Sequence, residues 1–91
     1  MIFEEIYSII KQRKTNFKDG SYCSSLFKDG GDKILQKIGE EGVELIIAGK
    51  NRSKKRIIEE TADLFFMILA LLVQKNISLN NIFRELENRR K

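Results

Sequence analysis

Between Leu64 and Val73 the chain runs for ten residues without a polar side chain. The pattern has neither the alternation of a half-buried strand nor the single stripe of a surface helix. Ten apolar residues are too few to cross a bilayer, which takes about 20, and they suit a buried core helix. A helix that is apolar around its whole circumference must be covered on every side. Ninety-one residues make one small domain, residues 1–91, with few other helices to supply that cover. The reading is therefore a small all-α bundle of about four helices, completed by a partner chain.

The remaining helices follow from spacing. Ile2, Phe3, Ile6, Ile9 and Ile10 repeat at helical intervals and predict an amphipathic helix to about Arg13. From Lys14 to Gly31 the periodicity breaks. Asp19-Gly20, Asp29-Gly30-Gly31 and the Ser21 to Ser25 cluster are turn chemistry. Asp32 is the expected N-cap of the next helix, which runs from near Lys33 to about Gly49 or Lys50. Gly39, Gly42 and Gly49 each cost that helix about 1 kcal/mol relative to Ala, and such positions commonly admit the close approach of a neighbour. Ser53 caps a helix from about Lys54 to Lys75. After a break at Asn76-Ile77, Ser78 caps a last helix that turns Leu79, Ile82, Phe83 and Leu86 inward.

Five carboxylates fall on the two central helices: Glu40, Glu41 and Glu44 on one, Glu60 and Asp63 on the other. At about 100° per residue the first three occupy roughly 100° of helix surface, and Glu60 and Asp63 lie one turn apart. Glu41 interrupts the stripe of Ile34, Ile38, Leu45 and Ala48. Glu60 and Asp63 share a face with Met67, Ala70 and Leu71. Carboxylates in apolar surroundings need a compensating cation. Either Lys33, Lys37 or Lys55 supplies it as an ion pair, or a divalent metal does. Hard oxygen ligands suit Mg²⁺ acting together with substrate phosphates, and Mn²⁺ favours the same class.

The absences narrow the chemistry. There is no histidine and a single cysteine, Cys23, which excludes His-dependent nucleophilic triads, thiolate zinc cages and internal disulfides. No phosphate-binding Gly-x-x-x-x-Gly-Lys-Ser/Thr loop is present. Acid–base work falls to carboxylates, Lys, Tyr, Cys or a metal-bound water. The net charge is +4, a surface that attracts anions such as polyphosphates. Its basic residues are scattered and no nucleic-acid motif accompanies them, so nucleic acid is not the expected partner. With no signal-peptide layout and no membrane span, the expected location is the cytoplasm.

The segment Asp19-Gly20-Ser21-Tyr22-Cys23-Ser24-Ser25-Leu26-Phe27, with the helix Lys33-Ile34-Leu35-Gln36-Lys37-Ile38-Gly39-Glu40-Glu41, resembles the phosphoribosyl-ATP pyrophosphatases of histidine biosynthesis. Glu60-Thr61-Ala62-Asp63-Leu64 and Ile77-Ser78-Leu79 fit the same family. The two acidic motifs alone indicate the broader MazG-like all-α superfamily. Cys23 stands where the family often has Thr, and Phe66-Met67 where Tyr-His is frequent.

The resemblance implies Mg²⁺-dependent hydrolysis of phosphoribosyl-ATP at its α–β phosphoanhydride, a helical homodimer, and a possible functional link to the cyclohydrolase that takes phosphoribosyl-AMP. It carries metal binding onto Glu40, Glu41, Glu44, Glu60 and Asp63, with Glu41 or Glu44 as the expected base. Lys33 and Lys37 are candidates for phosphate, and Ser21, Tyr22, Ser24 and Ser25 for the ribosyl-phosphate or base. A house-cleaning nucleoside triphosphate pyrophosphatase would share the carboxylates but not the Ser21 to Glu41 segment. A non-enzymatic binding module would be indifferent to the carboxylates. Cys23, with no histidine to activate it, reads as a packing residue.

Overall fold

The computed structural model describes residues 1–90, and its regular structure is entirely helical. Five helices follow one another: α1 (Ile2–Thr15), α2 (Tyr22–Ser25), α3 (Asp32–Lys50), α4 (Lys54–Gln74) and α5 (Leu79–Arg89). The all-α reading holds. The extra helix is the single turn α2, set inside the segment read as a long connection, and α1 continues two residues beyond Arg13.

Side-chain caps fix three of the starts. Ser21 accepts from Ser24 N at 3.2 Å, Ser53 from Arg56 N at 3.3 Å, and Ser78 from Asn81 N at 3.4 Å. Asp32 is not a cap. It is the first residue of α3, and Gly31 precedes it at φ +87°. The left-handed pair Gly30-Gly31 turns the chain so that the Gly31 carbonyl accepts from Ile34 N and Leu35 N, which leaves Asp32 inside the helix. A side chain at residue 31 would also meet Gln74, whose amide donates to Gly30 O at 3.2 Å. The turn is thereby pinned to the end of α4.

The core gathers Ile10 of α1, Leu26, Ile34 of α3, Leu79 of α5 and the inner side of α4, notably Met67, Ala70 and Val73. Tyr7 donates to the Ile77 carbonyl at 2.9 Å, tying α1 to the α4–α5 connection. α3 packs along α4. Within one copy, however, α4 is covered on only part of its circumference: Phe65 and Ile68 are exposed, as are Ile58 and, on α3, Leu35, Val43, Ile46 and Ile47. Nor, among the described residues, does any other element approach Gly39, Gly42 or Gly49, since a Cβ built at each finds open space.

Candidate functional site

α3 and α4 run antiparallel, and their facing turns bring together carboxylates from both motifs. Glu41, Glu60 and Asp63 each offer an oxygen within 4.8 Å of the other two. Glu60 is buried, Glu41 half-buried and Asp63 exposed. Glu41 sits here because it takes a core position on α3; Glu60 and Asp63 do because they share one face of α4. Burial first, then a hydrogen bond shared with Glu60, then the negative charges of Asp63 and Glu60 push the Glu41 carboxyl above its usual range, against the pull of Lys37.

Glu40 and Glu44 lie outside this cluster. Glu40 is exposed and accepts from Gln36 Nε2 at 3.0 Å; that bond, with help from Lys37, holds its carboxyl below the usual range. Glu44 faces Arg56, 3.8 Å from Nη2. The same nitrogen stands 3.2 Å from Glu60 Oε1. Lys37 takes the corresponding place at the other end, 3.4 Å from Glu40 and 3.8 Å from Glu41. Each flanking cation thus bridges one clustered carboxylate and one outlying carboxylate. Among the described residues Asp63 makes no ion pair within 4.0 Å. The cation on Glu60 is Arg56 and not Lys55, because Arg56 is the residue one turn before Glu60. That i,i+4 spacing is the signal by which the sequence could have shown it.

Beside the cluster lies a pocket of about 210 Å³ lined by Tyr22, Lys37, Glu41, Asp63, Phe66 and Met67. α2 presents Tyr22 to it, and Lys33 Nζ stands 5.7 Å from the centre of the Tyr22 ring. The serines of this segment are engaged within the chain. The buried Ser24 hydroxyl donates to Arg13 O at 3.0 Å and accepts from Lys18 N at 3.1 Å. Ser21 caps α2, and Ser25 donates to Tyr22 O at 2.6 Å. Together they hold the turn that delivers Tyr22. Cys23 is half-buried, and burial raises its thiol pKa, which suits packing and not nucleophilic attack.

Three carboxylate oxygens this close, of which only those of Glu41 and Glu60 meet a cation, are the hard donor set that a small divalent ion takes, and Mg²⁺ or Mn²⁺ fits them. Met67 shares the helix face of Glu60 and Asp63, whereas Phe66 is a lining residue that spacing alone does not single out, since it reads as part of the apolar core helix.

The helical fold and its two-helix carboxylate cluster define an all-α domain of the MazG-like type. The sequence profile described as Phosphoribosyl-ATP pyrophosphohydrolase matches residues 3–90. The phosphoribosyl-ATP pyrophosphatase of Methanocella arvoryzae is 50% identical over 92 residues, covering 99% of this chain and 97% of that protein. The enzyme of the same name from Lactiplantibacillus plantarum is 49% identical over 86 residues, 94% of this chain and 81% of its own. The histidine biosynthesis bifunctional protein HisIE of Caldanaerobacter subterraneus subsp. tengcongensis is 51% identical over 90 residues, and the match spans 99% of this chain but only 44% of that longer protein. The chain belongs to the phosphoribosyl-ATP pyrophosphohydrolase family. It is a hydrolase by that membership.

Proposed function

We propose that the chain hydrolyses phosphoribosyl-ATP at the α–β phosphoanhydride, giving phosphoribosyl-AMP and pyrophosphate, as the second step of histidine biosynthesis. The observation that carries the reading is the convergence of Glu41, Glu60 and Asp63 beside a pocket that mixes Lys37 with Tyr22, Phe66 and Met67. The fit of an oxygen-donor triad next to an aromatic, cationic pocket is what a nucleoside polyphosphate requires. Its aromatic walls can take the base, and its ammonium a phosphate.

Glu41, Glu60 and Asp63 would hold Mg²⁺, or Mn²⁺ in its place, which when bound neutralises charge on phosphoryl oxygens. Glu41 also suits the base. It lies inside the cluster, and it can accept the proton of an attacking water as the water oxygen bonds to phosphorus and the bridging P–O bond breaks. Glu44, paired with Arg56 outside the triad, is worse placed for that work. Lys37 is placed to meet a phosphate oxygen once its carboxylates are otherwise satisfied.

The working form is a homodimer. Leu35, Gly39, Gly42, Ile46 and Gly49 repeat at alternating steps of four and three along α3, the seam of two closely packed helices. Leu35 and Ile46 are exposed and the glycines are open, so a second copy could approach to backbone distance. No helix among the described residues is long and apolar enough to cross a membrane, and a cytoplasmic site of action is the natural one for this step. The fused relative makes a working link to the phosphoribosyl-AMP cyclohydrolase reasonable, since its own name is bifunctional.

The test is pyrophosphate release from phosphoribosyl-ATP and from a panel of ordinary and modified nucleoside triphosphates, with Mg²⁺ and with EDTA. Mg²⁺-dependent preference for phosphoribosyl-ATP is expected. Activity confined to the panel would replace the reading with a house-cleaning one. Silence on every substrate from folded, metal-supplied protein would leave a binding module.

A further inference from the structure

We propose that Arg56 receives the pyrophosphate half of the substrate. The polyphosphate then lies along the α3/α4 groove with its leaving group at the Arg56–Glu44 end and its nucleoside at the Tyr22–Phe66 end. The inference rests on the hydrolase reading above and gives that site a direction.

The two ends of the groove differ in chemistry. Because the helices are antiparallel, Lys37 falls beside Asp63 and Met67, whereas Glu44 falls beside Arg56. The seven-residue step from Arg56 to Asp63 separates those ends by about 10 Å along α4. At the far end Tyr22, Phe66 and Met67 wall the pocket, which suits the flat face of a base and a sugar. The Arg56 end is marked by charge. Ser53 caps the helix, Lys54 and Lys55 follow it, and the lysines and Arg56 are all exposed. A nucleoside has little to hold it there, and a densely charged anion has much.

Arg56 is also positioned by the carboxylates it would later leave. One nitrogen, Nη2, is shared between Glu60 and Glu44. A guanidinium carries five N–H donors in a planar fork that matches phosphate, so most of them remain for a ligand. The five motif carboxylates would repel an incoming polyphosphate, and the cations in contact with them are Lys37 and Arg56, at opposite ends. Lys37 borders the nucleoside pocket. Arg56 is left for the other half, pyrophosphate, the product with the denser charge.

Calorimetric titration of the full chain in excess Mg²⁺ with pyrophosphate, and separately with phosphoribosyl-AMP, tests the assignment. Arg56→Gln is expected to weaken pyrophosphate roughly tenfold while leaving phosphoribosyl-AMP within about twofold. Arg56→Lys, which keeps the charge, should recover part of the loss. Tyr22→Ala should show the mirror pattern. Unchanged pyrophosphate affinity in Arg56→Gln would overturn the proposal. Equal loss of both products would overturn it too, because Arg56 would then only prop Glu60. A wild type that binds neither product would instead sink the phosphoribosyl-ATP reading on which the proposal stands.

Discussion

The ammonium of Lys37 lies 3.8 Å from Oε1 of Glu41, on the same face of α3 and one turn before it. It is the only cation in contact with that carboxylate among the described residues, and it shares itself with Glu40. Three carboxylate oxygens within 4.8 Å are therefore under-compensated without a metal. Gathered like charges destabilise a fold, so relieving them should stabilise the metal-free protein. Glu41→Gln is expected to raise the melting temperature in EDTA by about 2–4 °C. The same variant should lose at least ~100-fold in turnover at saturating Mg²⁺. Near wild-type turnover would remove Glu41 from the site.

The acidity of Glu41 gives a pH signature. Burial, the bond to Glu60 and the neighbouring charges lift its carboxyl above the ordinary 4.5. The folded protein thus keeps a proton here that the unfolded chain releases. Its contribution to stability is complete below the ordinary value and is lost as pH rises through the raised one. In EDTA, melting curves of the wild type and Glu41→Gln should converge in acid and separate towards neutrality, with the variant the more stable. Parallel curves at every pH would show that Glu41 titrates normally.

Gly31 tests the turn that aims α3. Its φ of +87° disfavours any side chain, and a Cβ there would stand 2.9 Å from Gln74 Cγ. Gly31→Ala should cost about 1–2 kcal/mol in urea unfolding. Adding Gln74→Ala should return only the steric part, because the backbone strain remains. A neutral Gly31→Ala would mean that the turn tolerates another conformation.

The α3 seam makes a prediction about assembly. Gly42→Leu or Ile46→Glu should drive the protein towards the 10.6 kDa monomer in light scattering, since one blocks close approach and the other places a charge in the seam. If both variants keep the wild-type mass, α3 is not the dimer contact.

Much of this architecture is legible in residue order. Ser53 and Ser78 announce their helices as caps, and the unbroken apolar run of α4 announces a shortage of cover that the exposed Phe65 and Ile68 then display. Glu41, Glu60 and Asp63 are legible because each interrupts an apolar face. Glu40 and Glu44 share their arc of α3, but an arc of roughly 100° is wider than a cluster of this size can use. The tie that buries the Ser24 hydroxyl is tertiary: Arg13 and Lys18 reach it through a fold that no local pattern encodes. Asp32 looks like a cap until the left-handed Gly30-Gly31 pair moves the helix start.

α3 has three commitments around its circumference. Ile34 and Ala48 face the core, Lys37, Glu41 and Glu44 face the carboxylate groove, and the glycines with Leu35 and Ile46 form the open seam. The remaining arc, with Lys33, Gln36, Glu40, Val43 and Ile47 all exposed, is open to solvent. A saturation library of the gene should thus show α3 constrained at its core, groove and seam positions, while that open arc and the solvent side of α5 drift freely. This enzyme's evolutionary latitude would then be set less by its chemistry than by how few surfaces a 19-residue helix has to share.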